Sequence, residues 1–178
     1  MPLFSKNRKR KSGIDFFLKR GIVVKKDGLT VPKVAVATFD TAVNDSAGVS
    51  NKTIAAHGLG VYLPDNAIVV SAWFDVVTTF TTAGSDAGTI ALKVQGANDL
   101  SSTLAVDDDR DMFDAGMHAC LPDAIALDGN SMTAIEMAAA KAATWIKLTD
   151  ERELIATVAT QALTAGKLVL YVSYIVSE

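Results

Sequence analysis

The chain carries one cysteine, Cys120, among its 178 residues. A disulfide framework needs pairs, and zinc sites built on cysteines need at least two, so both are excluded. Histidine is almost as scarce, with His57 and His118 the two examples. Zinc takes three or four nitrogen or sulfur ligands, which this chain supplies only if His57, His118 and Cys120 meet in the fold. Long apolar runs are missing too. No stretch approaches the ~18 uncharged apolar residues of a membrane span, and Asp65 interrupts the best candidate. After the basic NRKRK, the apolar IDFFL is cut by Lys19 and Arg20, short of the about 7–15 residues and small-residue cleavage site of a secretory signal. A soluble protein made in a cytoplasm is expected. GxSxG, HExxH and GxxxxGK[ST] are all absent, so no catalytic residue is assigned and an enzyme is not expected.

What is present is enough for a core. The composition is 49% apolar and 21% charged, which excludes a disordered or fibrous chain. The net charge of −3 hides a split. Met1 to Lys26 holds nine basic residues against one acid, Asp15, a net of +8, leaving 8 basic against 19 acidic residues, or −11, for the remainder. Such asymmetry concerns partners rather than fold. A basic N-terminal arm, residues 1–28, is expected ahead of a folded domain, residues 29–178. One helical turn in GIDFFLKR would place Ile14, Phe17 and Leu18 together.

From Leu29 onward the hydrophobic pattern has period two. In AIVVSAWFDVVTTF, Ile68, Val70, Ala72, Phe74, Val76, Thr78 and Phe80 form one face of a long strand. The other face carries Ser71, Asp75 and Thr79. TIALKVQ repeats the pattern with Ile90, Leu92 and Val94, RELIATVAT with Leu154, Ala156 and Val158, and KLVLYVSYIVS with Leu168, Leu170, Val172, Tyr174 and Val176. Further strands are expected at Val31–Thr38, Thr53–Tyr62, Ser102–Val106 and Thr144–Leu148. LPDN is expected as a type I turn, and QALTAG, with Gly166, as a longer hairpin loop. MTAIEMAAAKAA is rich in helix formers and stays open between a surface loop and a strand. About eight antiparallel strands make an all-β, two-sheet, jelly-roll-like sandwich with an extended basic N-terminal arm.

Candidate chemical sites mostly dissolve on inspection. Asp107, Asp109 and Asp111 occupy the first, third and fifth places of a calcium loop, yet Met112 stands where glycine is needed and His118 where a bidentate glutamate belongs. HGLG lies inside a strand pattern, whereas a phosphate loop must open a helix. His57 is expected to be a hydrogen-bonded core residue and Cys120 a buried thiol. More informative is the face of the long strand opposite its core side, where Val69, Trp73 and Val77 align. An apolar stripe containing tryptophan needs a cover, either a second layer of the same fold or a subunit interface.

The run AAHGLGVYLPDNAIVVSAWFDVVTTFTTAGSDAGTIALKVQGANDL resembles a family of small structural proteins of tailed bacteriophages, notably those of cyanobacteria and marine bacteria. LTDERELIATVATQALTAGKLVLYVSYIVS is similar to that family's closing hairpin. The resemblance spans Ala55 to Ser177 and leaves out the basic arm. It implies a β-sandwich on the virion, a capsid decoration (cement) protein that binds and stabilises the outer head shell as an oligomer, with the homotrimer expected. No catalytic residue, metal or cofactor is implied. The major capsid protein is then the expected partner. Phe4, Lys6, Arg8, Lys9, Arg10, Lys11, Phe16, Phe17, Lys19 and Arg20 would anchor the arm in its grooves, and Val69, Trp73 and Val77 would join subunits. The alternative is a tail-fibre, spike or head-fibre module for host-surface carbohydrate, against which stands an aromatic content of 7%. Neither a membrane nor nucleic acid is an expected partner, since an acidic body opposes the latter.

Overall fold

Alternating β-branched and small residues between polar turns give eight strands in a computed structural model that describes residues 32–84, 87–96, 99–106, 112–120 and 146–177. They are β1 (Lys33–Asp40), β2 (Ala56–Leu63), β3 (Ala67–Thr82), β4 (Thr89–Lys93), β5 (Ser101–Ala105), β6 (Gly116–Ala119), β7 (Arg152–Ala159) and β8 (Leu163–Val176). No helix occurs among the described residues.

Two antiparallel sheets result, ordered β1-β8-β3-β6 and β2-β7-β4-β5. The first strand therefore pairs with the last, the second with the seventh, the third with the sixth and the fourth with the fifth. Such pairing is a long antiparallel hairpin rolled up until β3 meets β8 and β4 meets β7. This is the jelly roll, and the expected β-sandwich is the observed one.

The inward faces make one core. Leu154, Ala156 and Val158 of β7, Ile90 and Leu92 of β4, and Leu168, Leu170 and Val172 of β8 are all buried, as alternation requires. At one end four rings interlock: Phe39 stacks on Phe80 at 5.8 Å, Phe80 meets Phe113 edge-on at 5.8 Å, and Phe113 stacks on Phe74 at 5.9 Å. Each fully buried ring contributes about 1.5–3 kcal/mol through the area removed from water.

Two turn expectations need correction. Gly166 lies within β8 rather than in a hairpin loop, at φ +138°, where a Cβ would collide with the Phe80 ring. Its task is to let that ring reach the core. The LPDN turn closes through Ala67 N–H donating to Pro64 C=O at 3.2 Å, which puts proline first in the turn, not second. Asn66 takes the left-handed conformation, φ 60°, which asparagine tolerates. β6 was not among the expected strands, while Thr144–Leu148 contributes only a single bridge, Ile68 to Lys147, among the described residues.

Candidate interaction surface

β3 is long enough to cross the whole sheet, and two of its four register irregularities against β8 decide which of its central side chains face out. Val69 pairs with Tyr174 and Ser71 with Ser173, so Val70 is an extra residue without a partner on β8. A bulge of this kind reverses the alternation. Val69 is consequently in the core at 7% exposure while Val70 faces water. A second extra residue, Val77, sits between the Val76–Leu168 and Thr78–Lys167 pairs and is 53% exposed. The expectation that Val69, Trp73 and Val77 share an outward stripe is thus corrected: Val69 belongs to the interior.

The outward apolar surface runs across the strands instead. Val36 of β1 lies opposite Tyr171 of β8, Tyr171 opposite Trp73 of β3, and Trp73 opposite Ala119 of β6. The Trp73 and Tyr171 rings stack at 5.6 Å, 7° from parallel. The next row reads Thr38, Val169, Asp75 and Met117. Val34 and Val36 are about half exposed, and Met117 is 64% exposed. Exposed apolar surface that is contiguous across strands is a candidate contact site. At the lower margin Asp40 accepts an ion pair from Lys167 at 3.1 Å. The Ala42 N–H, and then Lys167, hold the Asp40 carboxyl below its ordinary range against the opposing effect of burial.

The histidines are structural. His57 is fully buried, with Nδ1 3.0 Å from Asp45 Oδ2 and Nε2 2.8 Å from the Thr53 carbonyl. Both ring nitrogens of this buried side chain therefore have a polar partner. Asp45 also receives the Val49 and Ala47 N–H groups on Oδ1, at 2.8 and 2.9 Å. The Val49 bond leads, with His57 and Ala47 adding, in holding the Asp45 carboxyl below its usual range. This clasp ties the segment from Thr41 to Ala55 onto β2. A sequence cue exists in NDSAG, where Asp45 and Gly48 are placed for a turn that Gly48 N–H closes onto Asp45 C=O at 3.0 Å.

His118 donates from Nε2 to the Asp114 carbonyl at 2.9 Å and stacks on Phe74 at 5.4 Å. Among the described residues no three His, Cys, Asp or Glu side chains converge on a metal-sized site. Cys120 packs against the core, and burial pushes its thiol up to about 12, as an inert thiol requires. HGLG lies within β2, and there the Gly60 N–H donates to a carboxylate of the chain itself, Glu153 Oε1, at 2.7 Å. Asp107, Asp109 and Asp111, the MTAIEMAAAKAA stretch and the basic arm with Phe4, Lys6, Arg8, Lys9, Arg10, Lys11, Phe16, Phe17, Lys19 and Arg20 all lie outside the described residues.

No protein-family model matches the chain, and no curated protein matches it. Solved structures do. A chain of the cyanophage Pam1 capsid asymmetric unit is similar over 83% of this chain and 86% of its own, at 15% identity and a TM-score of 0.51. A chain in the acidic stable capsid structure of Helicobacter pylori bacteriophage KHP30 is similar over 84% of this chain and 90% of its own, with 17% identity and a TM-score of 0.49. For a chain in the capsid of Ralstonia phage GP4 the figures are 82%, 86%, 19% and 0.45. At these identities the likeness is one of fold, and the Pam1 chain is the neighbour that carries it.

Proposed function

We propose that this protein is a structural component of a bacteriophage virion, and within it a decoration protein on the outer surface of the head shell. The observation that carries the reading is the jelly roll shared with a chain of the Pam1 capsid unit, matched over nearly equal shares of both chains. Sequence resemblance to small phage structural proteins points the same way. A protein that occupies many equivalent sites on a shell needs contact surfaces rather than chemistry. It has one in the Val36–Tyr171–Trp73–Met117 face, which supports self-association as a closed oligomer, the homotrimer being the form proposed. The arm supplies the second. Phe4, Phe16 and Phe17 bury apolar area in grooves of the major capsid protein, while Lys6, Arg8, Lys9, Arg10, Lys11, Lys19 and Arg20 pair with its acidic groups. Ordering an arm on binding costs entropy, which several arms on one oligomer offset through avidity.

The test is decoration of shells prepared without this protein. Full-length chain with Arg8, Lys9, Arg10 and Lys11 changed to glutamate should bind far more weakly than the natural chain. Raised salt should weaken the natural chain in the same direction, since exposed charges are screened beyond about 8–10 Å. Surface labelling of intact particles gives the location. A chain protected from label inside the head, or charge-reversed arms that decorate as well as natural ones, would sink the proposal.

A further inference from the structure

Asp75 is out of character with its surroundings. It sits half-buried on the outer side of β3, directly opposite Val169 of β8 and Met117 of β6, with Trp73 and Val77 two positions away along its own strand. Among the described residues no hydrogen bond or ion pair reaches its carboxylate. Lys167, two residues along β8 from Val169, is engaged by Asp40. While water covers the face, such a carboxylate is solvated. Once apolar groups cover Trp73, Val77 and Met117, that solvation is lost and a counter-charge must replace it.

We propose that Asp75 is the residue that sets the specificity of the self-interface: when the oligomer closes over this face, a lysine or arginine of a second copy reaches the Asp75 carboxylate. The inference rests on the self-association reading and adds to it which contact chooses the partner. Charge complementarity favours a second copy. Lys33, Lys52 and Lys147 hold no ion pair among the described residues, and nine further basic residues lie between Met1 and Lys26. The carboxylate disfavours one symmetry. A two-fold contact centred on Asp75 would bring two like charges together, whereas a head-to-tail ring lets each copy give a cation at one patch and receive one at another. A closed ring, such as a trimer, satisfies every Asp75 in this way.

The experiment is sedimentation equilibrium of the full chain against Asp75→Asn, Asp75→Leu and Asp75→Lys, with near-ultraviolet circular dichroism to confirm folding. The sign of the effect decides. A carboxylate met by a cation makes Asp75→Asn weaken association, by about tenfold or more; Asp75→Lys should leave monomers at concentrations where the natural chain is assembled. Added salt should weaken the natural oligomer more than the Asp75→Asn one. If Asp75→Asn or Asp75→Leu assembles as tightly as the natural chain or more tightly, the carboxylate has no counter-charge and this inference fails while self-association stands. A natural chain that stays monomeric at every concentration overturns both.

Discussion

The two sheets of this sandwich are alike on the inside and unlike on the outside. Inward, both present the same aliphatic alternation, Leu168, Leu170 and Val172 against Ile90, Leu92, Leu154 and Ala156. Outward, the β1-β8-β3-β6 sheet carries Val34, Val36, Val169, Tyr171, Trp73, Val77 and Met117. The β2-β7-β4-β5 sheet carries Glu153, Ile155, Thr157, Lys93 and Thr89 in the corresponding places, a lone isoleucine among polar groups. Tyr62 is its one large exposed ring, and the negative charge of adjacent Glu153 raises the phenol above its ordinary value. The inner faces answer to folding alone, so they converge. The outer faces answer to whatever lies beyond them, and only one carries a continuous apolar row across its strands.

The comparison is broken most severely from the inside, where the sheets should prove equivalent. Leu170→Ala and Leu154→Ala, one from each sheet, should each cost about 2–5 kcal/mol, read as a fall in the urea midpoint with unchanged slope. A near-neutral result on either side would mean that sheet is not part of the common core. Outside, the sheets should part company. Trp73→Asp should weaken self-association by about 2 kcal/mol or more, roughly 30-fold, in the sedimentation measurement. Ile155→Asp, an outward substitution on the other sheet, should leave association unchanged. Equal losses from both would erase the distinction between the faces.

The smallest effect concerns acid. Asp45 and Asp40 bind protons less readily in the folded chain than their ordinary value of 3.8. Their contribution to stability is therefore full above that value and is lost as the pH falls through the lower folded values. The urea midpoint should drop over that acid window, and Asp45→Asn should lower stability at neutral pH while flattening the acid limb. An acid limb as steep in Asp45→Asn as in the natural chain would remove the His57 clasp from the account.

Strand alternation was legible because a buried face punishes any break in the pattern, and the β4, β7 and β8 cores emerge directly from it. The bulges on β3 were not legible. Val70 and Val77 are β-branched residues among other β-branched residues, so nothing local marks them as extra; only the count of partners on β8 does. That single displacement moved Val69 from the expected contact stripe into the core, and it is why the outward surface is read across strands rather than along one. Gly166 misled in a similar way, since a glycine that admits the Phe80 ring and a glycine that turns a hairpin look identical in sequence. His57 was legible as a core residue, but its partner Asp45 lies twelve residues earlier in an irregular segment, where no periodicity constrains what meets it.

Cys120 has a use that follows from its isolation. The chain has a single thiol, and burial raises its pKa to about 12, which makes the reactive thiolate scarce at neutral pH. It stands just beyond β6, the short edge strand, with its N–H on the Ala72 carbonyl at 3.1 Å. Reaction with a thiol reagent should therefore be slow while that edge is in place and faster once it comes away. Its rate of labelling should report local opening of the sheet at a single site, with no need to engineer a probe.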